Sequence, residues 1–288
     1  MPTKLNGIAY GKLNLTLEVI GRRQDGFHEM RSLMQAISIH DVVTVKEANE
    51  VSINCNLAGI SDFQNIAYKA AELMRRRYKV KSGADIVIQK GIPVSAGLGG
   101  GSSDAAMVLK LLNKLWGLDL PLSELVGLSS EIGSDVAFFL SGNTGLVEGR
   151  GEKVRCMDMK NTYYFVLLVP PVTLRCKTAS MYKLLNESNF TNGGLTRKLE
   201  ARIRSGGDIP PQYLFNVFDD VLSTMVPSIK EYVTIFQSAG GKEILTAGSG
   251  PTLFTIVSTR ERGTAISLIL KHKYKLNSFL VTSVNKSI

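Results

Sequence analysis

Pro93-Val94-Ser95-Ala96-Gly97-Leu98-Gly99-Gly100-Gly101-Ser102-Ser103-Asp104-Ala105-Ala106 is the stretch on which the reading of this chain turns. Its glycines let a backbone turn through conformations closed to other residues and come close to a ligand. Ser102, Ser103 and Asp104 can cap a following helix. That helix is written in the apolar spacing of Ala105, Val108, Leu109, Leu112, Leu115 and Trp116, with Gly117 as its stop. A helix N-terminus presents unpaired N–H groups and the positive end of a dipole, and both suit phosphate. The bland alternative is a tight strand-to-helix turn that binds nothing. No Lys follows the glycines and G-x-G-x-x-G is absent, so neither a Walker A loop nor a dinucleotide fingerprint is present.

Outward from this loop, the coarse reading is α+β. Strands are expected at 5–20, in two runs within 33–47, and at 51–55, 84–90, 161–169, 242–246, 252–257 and 278–284. Helices are expected at 65–77, after the glycine loop, and at 122–132, 178–186, 195–204, 212–224 and 228–239. The order mixes the two types without strict β-α-β alternation. A boundary near 150–160 gives two comparable lobes, 1–155 and 156–288.

Composition bounds the function. The 288 residues carry 34 Lys+Arg against 25 Asp+Glu, a net charge of +9, with 44% hydrophobic residues. That is ordinary globular usage and excludes a disordered chain. The cations are scattered except for Arg75-Arg76-Arg77, at the end of an expected helix, and Lys271 to Lys275. No basic stripe interleaved with aromatics appears, so no nucleic-acid partner is expected. No run of about 18 apolar residues is present and no membrane partner is expected. Cys55, Cys156 and Cys176 are too few and too dispersed for a disulfide framework or a zinc site. A cytoplasmic protein is the default and a monomer or weak homodimer is expected; the surplus of positive charge is compatible with a small anionic substrate and does not identify one.

Three further segments carry chemistry. Tyr10-Gly11-Lys12-Leu13-Asn14-Leu15 places Lys12 in an apolar run, and Arg23-Gln24-Asp25-Gly26 is a turn followed by Phe27-His28. Gly133-Ser134-Asp135-Val136-Ala137-Phe138-Phe139 isolates one carboxylate among small and apolar residues. Asp135 either satisfies a turn or accepts or orients a hydroxyl proton, from which phosphoryl transfer to an alcohol profits. Ala247-Gly248-Ser249-Gly250-Pro251-Thr252 is a second small-residue loop.

Residues 93–106 match P-x-x-x-G-L-G-G-G-S-S-x-A-A, the second motif of the GHMP kinase superfamily, which takes in galactokinase and the homoserine, mevalonate and phosphomevalonate kinases. The other three segments resemble its remaining motifs, in family order, and the whole looks most like the methylerythritol branch. The resemblance implies a two-lobed GHMP kinase fold with the site in the cleft between the lobes. It implies an ATP-dependent, Mg²⁺-assisted kinase that phosphorylates the 2-hydroxyl of a cytidine-diphosphate-linked methylerythritol, in the non-mevalonate route to isoprenoid precursors. Lys12 and Asp135 carry over as catalytic. The loop Pro93, Val94, Ser95, Ala96, Gly97, Leu98, Gly99, Gly100, Gly101, Ser102 and Ser103 carries over as the ATP phosphate loop. Asn14, Phe27, His28, Thr178, Tyr182, Gly248 and Ser249 carry over as substrate neighbours, and no protein metal ligand is implied. For Thr178 and Tyr182 a plain amphipathic helix with a core Tyr is an equal reading. The chain departs from the family pattern at Tyr10 and Gly11 (Pro-Ala), Phe27 (Tyr), Ser134 and Ala137 (Ala and Pro), and in Asn216-Val217-Phe218-Asp219 (N-D-[LF]-E), on which no function is placed. The rivals are a sibling small-molecule kinase and a non-catalytic ATP-binding regulator.

Overall fold

The computed structural model describes residues 4–57, 64–172 and 177–285. Cys176 lies outside them, while Cys55 and Cys156 are free thiols. Along the chain run β1 (Lys4–Arg22), β2 (His28–Ala48), β3 (Ser52–Cys55), α1 (Ile66–Arg77), β4 (Gly83–Gln89), α2 (Gly100–Leu115), α3 (Leu122–Ser129), α4 (Val136–Ser141), β5 (Thr144–Gly149) and β6 (Lys153–Cys156). There follow β7 (Tyr164–Val169), α5 (Lys177–Leu184), α6 (Gly194–Arg204), β8 (Phe215–Asn216), α7 (Phe218–Met225), α8 (Ile229–Ser238), β9 (Leu245–Thr246), β10 (Leu253–Val257), α9 (Arg260–His272) and β11 (Asn277–Thr282).

The frame is one long hairpin. β1 and β2 pair antiparallel from Lys4↔Lys46 to Arg22↔His28, with irregularities at Tyr10/Gly11, Asn14/Thr16 and Val19/Gly21. The far end of β2 takes β4 as its other neighbour, and its near end takes β5. The described strands form two sheets, β3-β4-β2-β1-β8 with β5 and β6 attached, and β11-β7-β10-β9. The α+β two-lobed architecture expected from the sequence is therefore present. The sheets change over between β6, which runs through position 155, and β7, except that β8 returns to pair parallel with β1 at Thr16↔Phe215.

Several elements differ from the sequence expectation. The two runs within 33–47 are a single strand. Its polar interruptions are satisfied in the tertiary structure: Gln35 accepts from Thr144 Oγ1, and Asp41 accepts the amides of Gly91 and Ile92. The helix expected over 212–224 starts only at Phe218, because Asn216 holds β8 against the 246–248 loop. α4, β5, β6 and α9 are present where no element was expected. Ser102 and Ser103 do not cap α2. The cap position is Gly99, left-handed at φ 74°, with no side-chain hydrogen bond, and both serines lie inside the first turn.

Burial explains the lobes. Val43, Val45, Ile86 and Ile88 of the first sheet pack on Ala70, Met74, Val108, Leu109 and Leu112 of α1 and α2. Leu13, Leu15, Leu33 and Ile37 pack instead on Phe165, Leu167 and Phe254 of the second sheet. The hairpin thus belongs to both cores. This shared packing of apolar side chains ties the two sheets together through the hairpin.

Candidate active site

A cleft of about 1170 Å³ opens between the sheets. Its lining includes Lys12, Asn14, Phe27, His28, Asp135, Thr178, Tyr182, Gly248, Ser249 and the loop from Pro93 to Ser102. Of the residues singled out from the sequence, only Ser103 lies off this lining; it is buried within α2.

Lys12 is 4% exposed, an uncommon state for a Lys without partners. Its Nζ donates to Asn14 Oδ1 at 2.7 Å and lies 3.4 Å from Asp135 Oδ2. Asn14 in turn donates to Ser32 Oγ at 2.8 Å, and Ser32 Oγ donates to the Thr16 carbonyl. The ammonium is therefore aimed by a fixed chain of hydrogen bonds along the hairpin. Asp135 sits at the N-terminal end of α4 but makes no capping bond, and its side chain is 28% exposed. The turn-satisfying reading of Asp135 has no support in this geometry, since the carboxylate faces Lys12 and the cleft. Tyr10 and Gly11 do not disturb the arrangement: Lys12 N donates to Leu98 O at 2.9 Å, which sews β1 to the glycine loop.

The two small-residue loops interlock. Gly97 has φ +87°, and a Cβ there would lie 2.1 Å from the Ala247 carbonyl oxygen. Gly97→Ala is expected to cost about 1–3 kcal/mol for the left-handed backbone alone. Displacement of the 247–250 loop adds to this, lowering Tm in calorimetry. Asn216, 3% exposed, donates from Nδ2 to the carbonyls of Thr246 and Gly248, each at 2.7 Å. Asp219 accepts the Thr246 amide at 2.9 Å, and burial pushes its carboxyl up to about 6. These two residues, left without function in the sequence reading, are the clamp on the second loop. Their signal in the sequence was the partial match of 216–219 to the family's N-D-[LF]-E, in which Asn216 is kept.

Under α2, Asp104, which does not cap the helix, joins an ionic group with Lys90 and Asp41, two residues that no motif marks. Lys90 Nζ donates to Asp104 Oδ2 at 2.7 Å and to Asp41 Oδ2. Its side chain is 7% exposed, and those of Asp41 and Asp104 are 0% and 4%. A Cβ on Gly100 would be 3.2 Å from Lys90 Nζ, so the ammonium lies directly beneath the glycine loop. Burial, and secondarily the Asp41 charge, outweigh the Lys90 ammonium and push the Asp104 carboxyl up to about 7; its Oδ1 has no hydrogen-bond partner. A carboxyl raised in the native state keeps a proton that the unfolded chain releases above about 4. Its contribution to stability is thus full below about 4 and is lost as pH rises toward 7. Asp104→Asn should flatten this part of the curve relative to the parent chain, read as urea midpoints between pH 4 and 8.

At the other end of the cleft the lining is aromatic. His28 stacks on Tyr182, with centroids 5.2 Å apart and planes 27° apart, and meets Phe190 edge-on at 6.0 Å. Burial, with the Arg22 charge second, lowers the His28 pKa and favours the neutral ring, whose Nε2 is buried without a partner. Tyr182 packs edge-on to Phe218 at 4.9 Å, and burial raises its phenol pKa. Tyr182 thus has the core contacts of the plain-helix reading and also lines the cleft. Thr178 and Ser249 lie 3.0 Å apart, hydroxyl to hydroxyl. Phe27 is 53% exposed at the cleft mouth.

Comparison with known proteins gives the ancestry. Residues 65–143 match the GHMP kinase N-terminal domain. The chain is 39% identical over 254 residues to the 4-diphosphocytidyl-2-C-methyl-D-erythritol kinase of Dehalococcoides mccartyi, with 88% of this chain and 89% of that one covered. The chain belongs to the 4-diphosphocytidyl-2-C-methyl-D-erythritol kinase family. The Bacillus cytotoxicus member is 38% identical over 252 residues, with 86% of each chain covered. A crystal structure of a 4-(cytidine 5'-diphospho)-2C-methyl-D-erythritol kinase superposes with a TM-score of 0.82 at 26% identity, covering 98% of this chain and all of that one. Cytophaga hutchinsonii homoserine kinase has the same fold, with a TM-score of 0.76 at 16% identity over 99% of this chain and 96% of its own. Where this chain departs from the family pattern at position 137, Ala137 is buried in α4 and leaves the Asp135 carboxylate in the cleft.

Proposed function

We propose that this chain is an ATP-dependent kinase that phosphorylates the 2-hydroxyl of 4-diphosphocytidyl-2-C-methyl-D-erythritol. The observation that carries the reading is the Lys12–Asp135 pair, 3.4 Å apart beside the glycine loop, in the same cleft as the His28–Tyr182 stack. One end of the cleft offers a carboxylate, a cation and a helix N-terminus that no side chain caps. The other offers stacking surfaces and a buried, unpartnered ring nitrogen suited to a base edge.

In this reading the substrate hydroxyl lies between Lys12 and Asp135. Asp135 accepts its proton as the oxygen attacks the γ-phosphorus in line, and ADP leaves. Lys12, aimed by Asn14, orients the carboxylate and the reacting oxygens. The amides of the 97–103 segment and the α2 dipole stabilise charge on the transferred group and the leaving phosphates. Among the described residues no group of three or more His, Cys, Asp or Glu could hold a metal ion alone. A Mg²⁺ ion arriving on the ATP phosphates would have Ser102 as its protein neighbour and would offset phosphate charge there. Among the described residues no helix is long and apolar enough to cross a membrane. Both substrates are water-soluble nucleotides, which supports a cytoplasmic setting.

The test is ADP release by the purified chain with ATP and the cytidine-diphosphate polyol, beside mevalonate and homoserine as competing acceptors. Turnover confined to the first acceptor is expected. Faster turnover of another acceptor overturns the substrate assignment.

A further inference from the structure

The tight turn joining β5 to β6 packs against the reacting end of the cleft. A Cβ on Gly151 would lie 2.8 Å from Ser134 Cβ and 3.1 Å from Ser134 O, so this turn touches the residue immediately before Asp135. The turn is braced by Glu152, whose Oε2 accepts the Arg150 amide at 2.6 Å. From it the Arg150 guanidinium reaches over the Phe27 ring, 4.7 Å from the centroid, and both residues line the cleft.

The other cleft cations are mostly committed. Lys12 faces Asp135, Lys90 is held by Asp41 and Asp104, Arg23 is paired with Asp25 and Glu29, and Arg22 donates to the Leu185 carbonyl. Arg150 belongs to none of the ion pairs among the described residues, although Asp25, held by Arg23, feels its charge; Lys183 of α5 is likewise in no ion pair.

We propose that Arg150 binds the diphosphate of the nucleotide substrate. The inference rests on the cytidine-diphosphate reading of the cleft. With the base at the His28–Tyr182 stack and the acceptor hydroxyl at Asp135, the diphosphate must lie between them. Arg150 spans that interval: its turn abuts the Asp135 segment, and its head rests on the aromatic end. A guanidinium presents a planar fork of donors matched to phosphate oxygens. Stacking on Phe27 limits its rotation, so less entropy is lost on binding.

The test is calorimetric titration of the intact protein, without ATP, using cytidine and CDP as probes. The parent chain should bind CDP about tenfold or more tightly than cytidine, the size of a charge-assisted contact. Arg150→Ala should remove most of that gap while leaving cytidine affinity within about threefold. Arg150→Lys should restore part of the gap, and Lys183→Ala should keep it. In turnover, Arg150→Ala should raise KM for the polyol substrate with kcat and KM for ATP nearly unchanged. Equal weakening of cytidine and CDP would make Arg150 a prop for Phe27 and overturn the proposal. A gap that survives Arg150→Ala would place the diphosphate elsewhere and overturn it too. Failure of the underlying substrate reading looks different: the parent chain would bind neither probe and would not turn the polyol over.

Discussion

Asp135→Asn is expected to lower kcat by about 10²- to 10⁴-fold, with ATP affinity within a few-fold of the parent and Tm nearly unchanged. The argument is geometric. Asp135 caps nothing, is partly open to the cleft, and lies 3.4 Å from a Lys whose ammonium is held there by its hydrogen bond to Asn14. An amide of the same shape keeps the packing and cannot take the proton of the attacking hydroxyl. Single-turnover measurement of ADP release isolates this step from product release. Retention of more than about a tenth of the parent rate would remove Asp135 from the role of base, even within a measured kinase.

Lys90→Met carries the largest expected stability loss, about 3–5 kcal/mol. The substitution removes the one cation that contacts both Asp41 and Asp104, in a setting where all three side chains are at most 7% exposed. Asp41 cannot turn away to water, because its Oδ1 also receives the amides of Gly91 and Ile92 at 2.7 and 2.8 Å. The loss would appear as a lower urea midpoint at pH 8, where the parent's Asp104 has released its proton, whereas without the ammonium its carboxyl is pushed higher still and folding must take up a proton. Because Asp104 sits in the first turns of α2, KM for ATP should rise as well. Adding Asp104→Asn to Lys90→Met should recover a large part of the stability at pH 8, since the amide fills the site without having to take up a proton on folding. A single-variant loss under about 1 kcal/mol would mean that the group is not a buried ionic strut.

The sequence located chemistry better than it located architecture. The four segments around Lys12, Gly97, Asp135 and Gly248 are short, local and chemically unusual, so they stand out without any fold, and the cleft gathers all four. Lys90 and Asn216 do not stand out, because a Lys ending a strand and an Asn before a helix are common. Their importance comes from partners 49 and 30 residues away. The same holds for the single strand over 28–48, which the sequence divides at polar residues whose hydrogen-bond partners lie on other elements.

Sequence alone determined which groups could meet a phosphate, a hydroxyl proton and a nucleobase, since side-chain chemistry and glycine's backbone freedom are local properties. The tertiary structure decided which of them meet. The long hairpin packs on both cores, and this sets Lys12 against Asp135, two residues 123 positions apart in the chain. Packing also decided that Ser103 turns into α2, that Asn216 and Asp219 clamp the second loop, and that the surplus cation Arg150 stands over Phe27. Such pairings depend on burial and distance between remote segments, and neither quantity is written in a local pattern.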